Sequence, residues 1–455
     1  MNKLKYTSNA LRENCLLGRA GDCCIMMVQT WAKSEEYANQ LHNILDEDIK
    51  MMEQLEQDER SYNIDIEQML LKAVECYEVA LKLSETDGIL RRLGNSLNEV
   101  ASYYLNMAKT FTGEDVISVC KKAEHLLQHG LEIFEKVKDD SNIALLHTNM
   151  GHLHRLLAHA HSPPERGELT TKEKLHYNKA FVNYKKALQV LGERKHCPSI
   201  WDIVKWELST ALFNMGSIMH EHPPSSLTKA EAEKEVIETL QKALQYCDFD
   251  ENNPKFPLYQ YRAAVIHYRI GSLYHIIGKN IIQLAKINYE KAAKLYFQSS
   301  DALNYFTAQM QRFALSEYLA ETTSILNTKI KHLQNCLDIV LELNDMISLV
   351  IEKKVDISEE NVAEEENGEK KTYTTCFSLL KLVKHRLQHI LKMLIKICLT
   401  KPAPNKECCK LADLYKGCYK KTFDLSDNLD YKVLLEKLGA VLGDIKNQVD
   451  AFNNL

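Results

Sequence analysis

The feature that most restricts how this chain can fold is a triplet that returns along it: Ala, then a large side chain four residues on, then a small one three further. It reads Ala73, Tyr77, Ala80; Ala123, Leu127, Gly130; Ala180, Tyr184, Ala187; and Ala285, Tyr289, Ala292, with a degenerate copy at Val236, Leu240, Ala243. At about 100° per residue the three positions fall on one helical stripe. Each copy therefore predicts a helix that a neighbour approaches closely at the small residues while a ring fills the gap.

A second pattern precedes most copies. An apolar residue followed by glycine, with a packing residue three later, occurs as Leu93-Gly94 with Leu97, Met150-Gly151 with His154, Met215-Gly216 with Met219, and Ile270-Gly271 with Tyr274. Glycine inside a helix costs about 1 kcal/mol against Ala, so four at matching phase imply a packing reason, and backbone contact between paired helices would supply it. The two patterns are those of the second and first helix of a tetratricopeptide repeat. Here the glycines are roughly 55 to 65 residues apart, against about 34 in the standard repeat, so the helices and connections must be longer. The fold expected is all-α: a tetratricopeptide-like helical repeat solenoid with elongated repeats and a C-terminal helical cap.

Only 9 Pro and 16 Gly interrupt the 455 residues, and they cluster where turns are expected: Thr86-Asp87-Gly88, Phe111-Thr112-Gly113, Ser162-Pro163-Pro164, Pro223-Pro224-Ser225 and Asn252-Asn253-Pro254. Capping-box spacing marks helix starts at Thr170 with Glu173, Ser199 with Asp202, and Thr228 with Glu231. The organisation predicted is an N-terminal helix (8–33) and acidic linker over 1–66 and the repeat array over 67–300. A continuing hairpin follows over 301–354, with helices near 305–326 and 328–353. An acidic mobile linker spans 355–371, where apolar residues are too few to pack, and a cap spans 372–455, with helices around 373–400, 406–422 and 428–451.

The net charge of −5 is spread along the chain rather than gathered into a basic domain, which argues against generic nucleic-acid affinity. The 13 cysteines are odd in number and include the neighbours Cys23-Cys24 and Cys408-Cys409, as expected of reduced thiols rather than a disulfide framework. No apolar run approaches the roughly 20 residues of a membrane span, and a soluble protein is expected.

The histidines invite a metal reading that geometry does not support. On one helix His147, His154 and His161 share one stripe and His152 and His159 another, with members about 10.5 Å apart, too far for one ion holding each nitrogen at about 2.1 Å. The i, i+4 pairs His125/His129 and His385/His389 lack an adjacent carboxylate at metalloprotease spacing. His220-Glu221-His222 reads as polar capping. No P-loop, dinucleotide fingerprint, Cys-x2-Cys or nucleophile elbow is present, and Leu17-Gly18-Arg19-Ala20-Gly21 is too short a glycine pattern to count as one. No catalytic residue, metal or cofactor is expected. The helix from Phe377 to Leu399 carries Lys381, Lys384, His385, Gln388, His389, Lys392 and Lys396 on a cationic stripe. It reads either as a core helix with a solvated basic face or as a surface helix for lipid or a partner groove.

Several segments resemble the C-terminal half of the erythroid differentiation-related factor family: Arg91 to Asn95, Tyr177 to Ala180, Gln260 to Ala264, Lys291 to Leu295 and, outside anything the repeat dictates, Trp201-Asp202-Ile203-Val204-Lys205-Trp206-Glu207-Leu208-Ser209-Thr210. The resemblance runs in order from about residue 70 to the end, and the family's long N-terminal region has no counterpart here. It implies a nuclear, repeat-containing factor linked to erythroid differentiation and globin transcription, without a catalytic or metal site. The function expected is a non-enzymatic scaffold holding a peptide or helix of another protein in the solenoid groove, with no direct sequence-specific nucleic-acid binding. The alternative is a cytosolic trafficking or membrane-peripheral adaptor using the basic C-terminal helix. Aligning the glycines puts Arg91 and Asn95 on the groove face, where an Arg fork beside an amide suits a carboxylate or peptide backbone. Equivalent positions are Thr148 with His152, Phe213 with Ser217, and Tyr268 with Ser272, which predicts a mixed polar and aromatic groove.

Overall fold

The computed structural model describes residues 13–30, 33, 65–163, 165, 167–247, 256–278, 281–352, 368–400, 406–426 and 428–453, and among these no strand occurs. Fifteen helices follow one another: α1 (13–30), α2 (Ile66–Leu83), α3 (Asp87–Ala108), α4 (Glu114–Val137), α5 (Asp140–Ala160), α6 (Thr171–Leu191), α7 (Pro198–Glu221) and α8 (Lys229–Gln245). Then come α9 (Phe256–Ile277), α10 (Ile282–Gln298), α11 (Ala302–Thr322), α12 (Leu326–Ile351), α13 (Gly368–Thr400), α14 (Lys406–Lys421) and α15 (Tyr431–Asn453). The chain divides into two compact units, Met1–Tyr246 and Cys247–Leu455.

In the first unit, consecutive helices pack as antiparallel pairs, and the glycines show why. A Cβ on Gly151 of α5 would lie 2.5 Å from the Tyr184 ring of α6, one on Gly216 of α7 would lie 2.9 Å from Leu240 of α8, and one on Gly94 of α3 would lie 2.6 Å from the Phe134 ring of α4. The glycines thus receive a side chain of the second helix, and the backbone approach the sequence suggested is found beside this at α3/α4, where a Cβ on Gly130 would lie 3.8 Å from the Gly94 carbonyl oxygen. Gly21, discounted in the sequence, works the same way: a Cβ there would lie 2.6 Å from the Tyr77 ring. Asn14 donates to the Ala80 and Ser84 carbonyls at 2.9 and 3.1 Å, so α1 and α2 form a first pair.

The second unit repeats the device between α9 and α10. A Cβ on Gly271 of α9 would lie 2.9 Å from the Tyr289 ring of α10. The pair α11/α12 follows, tied by Gln309 Nε2 donating to Glu342 at 2.9 Å and by Asn335 donating to Ser316 at 2.6 Å. Helices α13 to α15 then cover this pair. Leu380, Leu387, Ile390, Leu391, Leu394, Leu438, Leu442 and Ile445 are fully or nearly fully buried in one core with Leu337, Val340 and Leu343 of α12. Each such side chain contributes about 1.5–3 kcal/mol, and the last pair keeps no bare apolar face, as a solenoid end requires.

Side-chain capping sets several helix starts. Asp65, Thr86, Asp139, Thr170, Thr228 and Asp301 accept from the backbone N–H three residues on, and Thr170/Glu173 and Thr228/Glu231 are complete capping boxes. Two expectations need correction. Thr86-Asp87-Gly88 is not a turn, because Thr86 caps a helix that begins at Asp87. Ser199 caps nothing: Cys197 occupies the cap position, Pro198 opens the helix, and Asp202 is engaged by Arg194 Nε and Nη2 at 2.9 and 3.0 Å. Helix α6 ends at Gly192, whose φ of 67° suits glycine. Helices α11 and α12 start two to three residues earlier than expected. Asn252-Asn253-Pro254, Pro164, the stretch 34–64 and the acidic linker up to 367 lie outside the described residues, while 368–371, expected as linker, are helical.

Candidate interaction surfaces

The packing positions singled out in the sequence are interior. Ala73, Tyr77, Ala80, Ala180, Tyr184, Ala187, Ala285, Tyr289 and Ala292 are all buried, as are Gly94, Gly151, Gly216 and Gly271. Around them a second register appears that was not read from the sequence. His147 lies four residues before Gly151 and Asn183 one before Tyr184, and their side chains meet at 3.1 Å. His267 and Asn288 hold the same places in the α9/α10 pair and meet at 2.9 Å. Each Asn also donates to the carbonyl four residues back, Lys179 or Leu284. The signal was present as His-x3-Gly followed by Asn-Tyr, but it joins different helices.

The first helices of the first unit are linked by polar contacts. Asn149 of α5 donates to Asn98 and Ser102 of α3 at 2.7 and 3.4 Å, and Arg155 of α5 pairs with Glu207 of α7. These contacts occupy the face on which the ligand groove was expected. Arg91 is exposed but engaged: it pairs with Asp139, the cap of α5, and donates to the Val137 carbonyl at 3.4 Å. A ligand carboxylate would have to displace both. Asn95 is exposed. His152 Nε2 and Ser217 Oγ are enclosed without a hydrogen-bond partner, and burial pushes the His152 imidazole down to about 4. In the second unit, Tyr268 packs on Tyr289 with ring centroids 5.8 Å apart, and Ser272 lies beside the Tyr289 hydroxyl. The candidates Arg91, Asn95, His152, Ser217, Tyr268 and Ser272 thus differ widely in what they offer a ligand.

The histidine stripe receives a ring from another helix. His176 of α6 brings its Nδ1 to 3.4 Å from that of His154 and stacks on His161 at 5.2 Å between centroids. Burial pushes His154 down to about 4. Among the described residues, no three or more His, Cys, Asp or Glu side chains converge in a way that could hold a metal ion.

The cationic stripe of α13 is dispersed in the fold. Lys384 is only 3% exposed, Lys381 lies over the Phe377 ring, Lys392 lies over Tyr419, and His389 approaches Glu317 of α11 at 3.5 Å. Val383, Leu387, Ile390, Leu391, Leu394 and Cys398 are buried in the core. An interfacial helix needs a free apolar face, and this one is taken. No described helix is long and apolar enough to cross a membrane.

An open cleft of mixed apolar and polar lining does exist, between second helices. A cleft of about 740 Å³ is walled by α6 and α8, with Leu212 and Met215 of α7 at its floor. Phe181 and Val182 line it from α6, and Glu238 and Lys242 from α8. Val182 is 52% exposed, as is Leu175 one heptad before it. The two walls run the same way, because their leading loops are joined: Leu169 N–H donates to the His222 carbonyl at 2.9 Å and Ser225 N–H to Glu168 at 2.6 Å. Lys174 then bridges to Glu235 across the cleft at 2.6 Å. Sequence periodicity could not reveal it, since its walls come from different pairs.

Sequence comparison agrees with this architecture. Residues 89–451 match the family model described as Erythroid differentiation-related factor 1-like, TPR repeats. Human Erythroid differentiation-related factor 1 is 32% identical over 373 residues, and the mouse protein 34% over 327. These alignments take in 72% and 64% of this chain but only 30% and 26% of the relatives, so the chain spans under a third of their length. Among solved structures, the S. pombe nuclear import adaptor Nro1 aligns at 13% identity and a TM-score of 0.29, over 84% of this chain and 99% of that one. A circular tandem repeat protein aligns at 10% and 0.30, over 98% of each. With its paired helices, its glycine-to-ring seats and a match along most of its length, the chain belongs to the Erythroid differentiation-related factor 1-like family, in its TPR repeat region.

Proposed function

We propose that this chain is a non-enzymatic protein-binding scaffold, acting through protein partners as a nuclear regulator of transcription in erythroid differentiation. The observation that carries the binding role is the cleft over Leu212 and Met215. The repeat core buries its own rings and glycines, yet this cleft of mixed apolar and polar lining stays open, and open grooves between helices are where helical repeats hold segments of their partners. The erythroid-differentiation part of the reading is supported by the names of its relatives, and its nuclear part by the resemblance of the sequence to that family. A direct role on DNA has no support in the charge, which is −5 overall. Cross-linking mass spectrometry on the intact chain, purified from nuclei of differentiating erythroid cells, tests the reading. Partner proteins should cross-link to lysines of α6 and α8, and nuclease treatment should leave them in place. Loss of all partners on nuclease treatment, or the absence of any, would reject it.

A further inference from the structure

We infer that the cleft between α6 and α8 takes an amphipathic α-helix of a partner protein, lying parallel to both walls with acidic residues in its last turn. This rests on the scaffold reading and adds the form, direction and charge of what is bound.

The shape comes first. The outward stripe of α6, Leu175, Asn178, Val182 and Lys185, follows i, i+3, i+7, i+10 spacing, and so does that of α8, the half-buried Glu235 with exposed Glu238, Lys242 and Gln245. All of these except Leu175 line the cleft. Ten residues of helix rise about 15 Å, so the walls present two parallel ridges of that length above an apolar floor. A third helix fits between two such ridges with anchors at i, i+3 or i+4, and i+7. An extended peptide would need a row of free backbone partners, which helical walls do not supply.

Charge gives the direction. At the leading end, Lys174 and Glu235 neutralise one another across the cleft. At the trailing end, Lys185 and Lys242 line opposite walls, and α6 carries no acidic residue after Glu173. A helix whose C-terminus lies at this end brings the negative pole of its dipole between two ammonium groups, and acidic side chains in its last turn add to the attraction. Glu238, one turn before Lys242 on α8, lines the cleft and suits a basic residue one turn earlier in the partner. The reverse orientation would set the helix's positive pole against the lysines.

Two capped peptides of about 14 residues test this on the full chain by fluorescence anisotropy. Both carry the same leucine anchors. One has Lys in the middle and Glu in the last turn, and the other has these charges exchanged. The first should bind about three- to tenfold more tightly at low salt, with the gap narrowing as salt rises. The double variant Lys185→Glu, Lys242→Glu should reverse the preference, and Val182→Arg, at an exposed position, should abolish binding of both peptides while the melting curve stays unchanged. Equal affinity for the two peptides, or a preference that survives the lysine exchange, overturns the inference. So does a dimer of this chain that Val182→Arg dissolves, which would give the cleft to a second copy. If neither peptide binds while nuclear partners still cross-link to the chain, the inference falls and the scaffold reading stands.

Discussion

Tyr184 lies with its ring over Gly151, so close that a Cβ on the glycine would sit 2.5 Å from the ring edge. The fit fixes how near α5 and α6 approach, and it explains a glycine in a helix interior that would otherwise be a loss of about 1 kcal/mol.

Gly151→Ala is therefore expected to destabilise. The methyl gains helix propensity of about 1 kcal/mol but forces the ring or the helix to shift, an overpacking cost of about 1–3 kcal/mol. Gly417 of α14 supplies the contrast: it is exposed, and nothing lies within 4 Å of a Cβ placed there. Gly417→Ala should stabilise by about 0.5–1 kcal/mol. Urea melts of both variants check the pair, and the same sign in both would refute the assignment of Gly151 to a ring seat.

The triplets were legible because Ala, Tyr and Ala recur on a single helix, where spacing alone decides which face they share. Gly21 was passed over because its partner, Tyr77, lies on a helix far along the chain and the residues between give no sign of pairing. Gly94 exposes a subtler limit. Its phase matches the other glycines, yet the ring it receives is Phe134, seven residues beyond the triplet's Leu127, so the register slides by two turns while the face is kept. Positions aligned to Gly94, Arg91 and Asn95 among them, are displaced along the helix axis by about the same 10 Å. The cleft over Leu212 and Met215 could not be read at all, because it is made by the stacking of one pair on the next.

Acid should weaken the fold before it protonates most carboxylates. Burial pushes His152 and His154 down to about 4, from an ordinary value of 6.5. Between those values the unfolded chain binds protons that the folded one refuses, so stability is full above pH 6.5 and falls as pH drops toward 4. Each tenfold preference for the neutral ring is worth about 1.4 kcal/mol, and the two rings together remove on the order of several kcal/mol. Urea midpoints measured from pH 7 to pH 4.5 should fall steadily, and His154→Leu should flatten the slope. A midpoint independent of pH over this range would show that these rings are hydrated.

Two capping sequences that look alike should behave differently. Thr170 accepts from the Glu173 N–H at 3.2 Å while Glu173 accepts from the Thr170 N–H at 2.8 Å, and Thr170→Ala should cost about 1 kcal/mol. Ser199 follows Pro198 inside the first turn of α7, so Ser199→Ala should change stability by less than about 0.5 kcal/mol. Thermal denaturation separates the two, and equal losses would mean that α7 starts two residues later than the fold shows.

The rings at equivalent repeat positions should also respond differently to loss of a hydroxyl. Tyr77 donates to Asp22 at 2.7 Å, and Asp22 is also paired with Arg92 at 3.2 Å. Removing the donor in Tyr77→Phe leaves that carboxylate with one partner fewer, a loss of about 1–2 kcal/mol. The Tyr184 hydroxyl is fully enclosed and lies beside the Arg155 guanidinium without meeting it in hydrogen-bond geometry. Burial raises its pKa well above the usual phenol range, so it stays neutral and contributes no charge to the Arg155–Glu207 pair. An enclosed polar atom without a partner carries its desolvation cost uncompensated. Tyr184→Phe keeps the ring over Gly151 and removes that atom, and it should be neutral or stabilising by up to about 1 kcal/mol. Paired urea melts of the two variants give the answer, and a loss at Tyr184 as large as that at Tyr77 would mean that the hydroxyl bonds Arg155 after all.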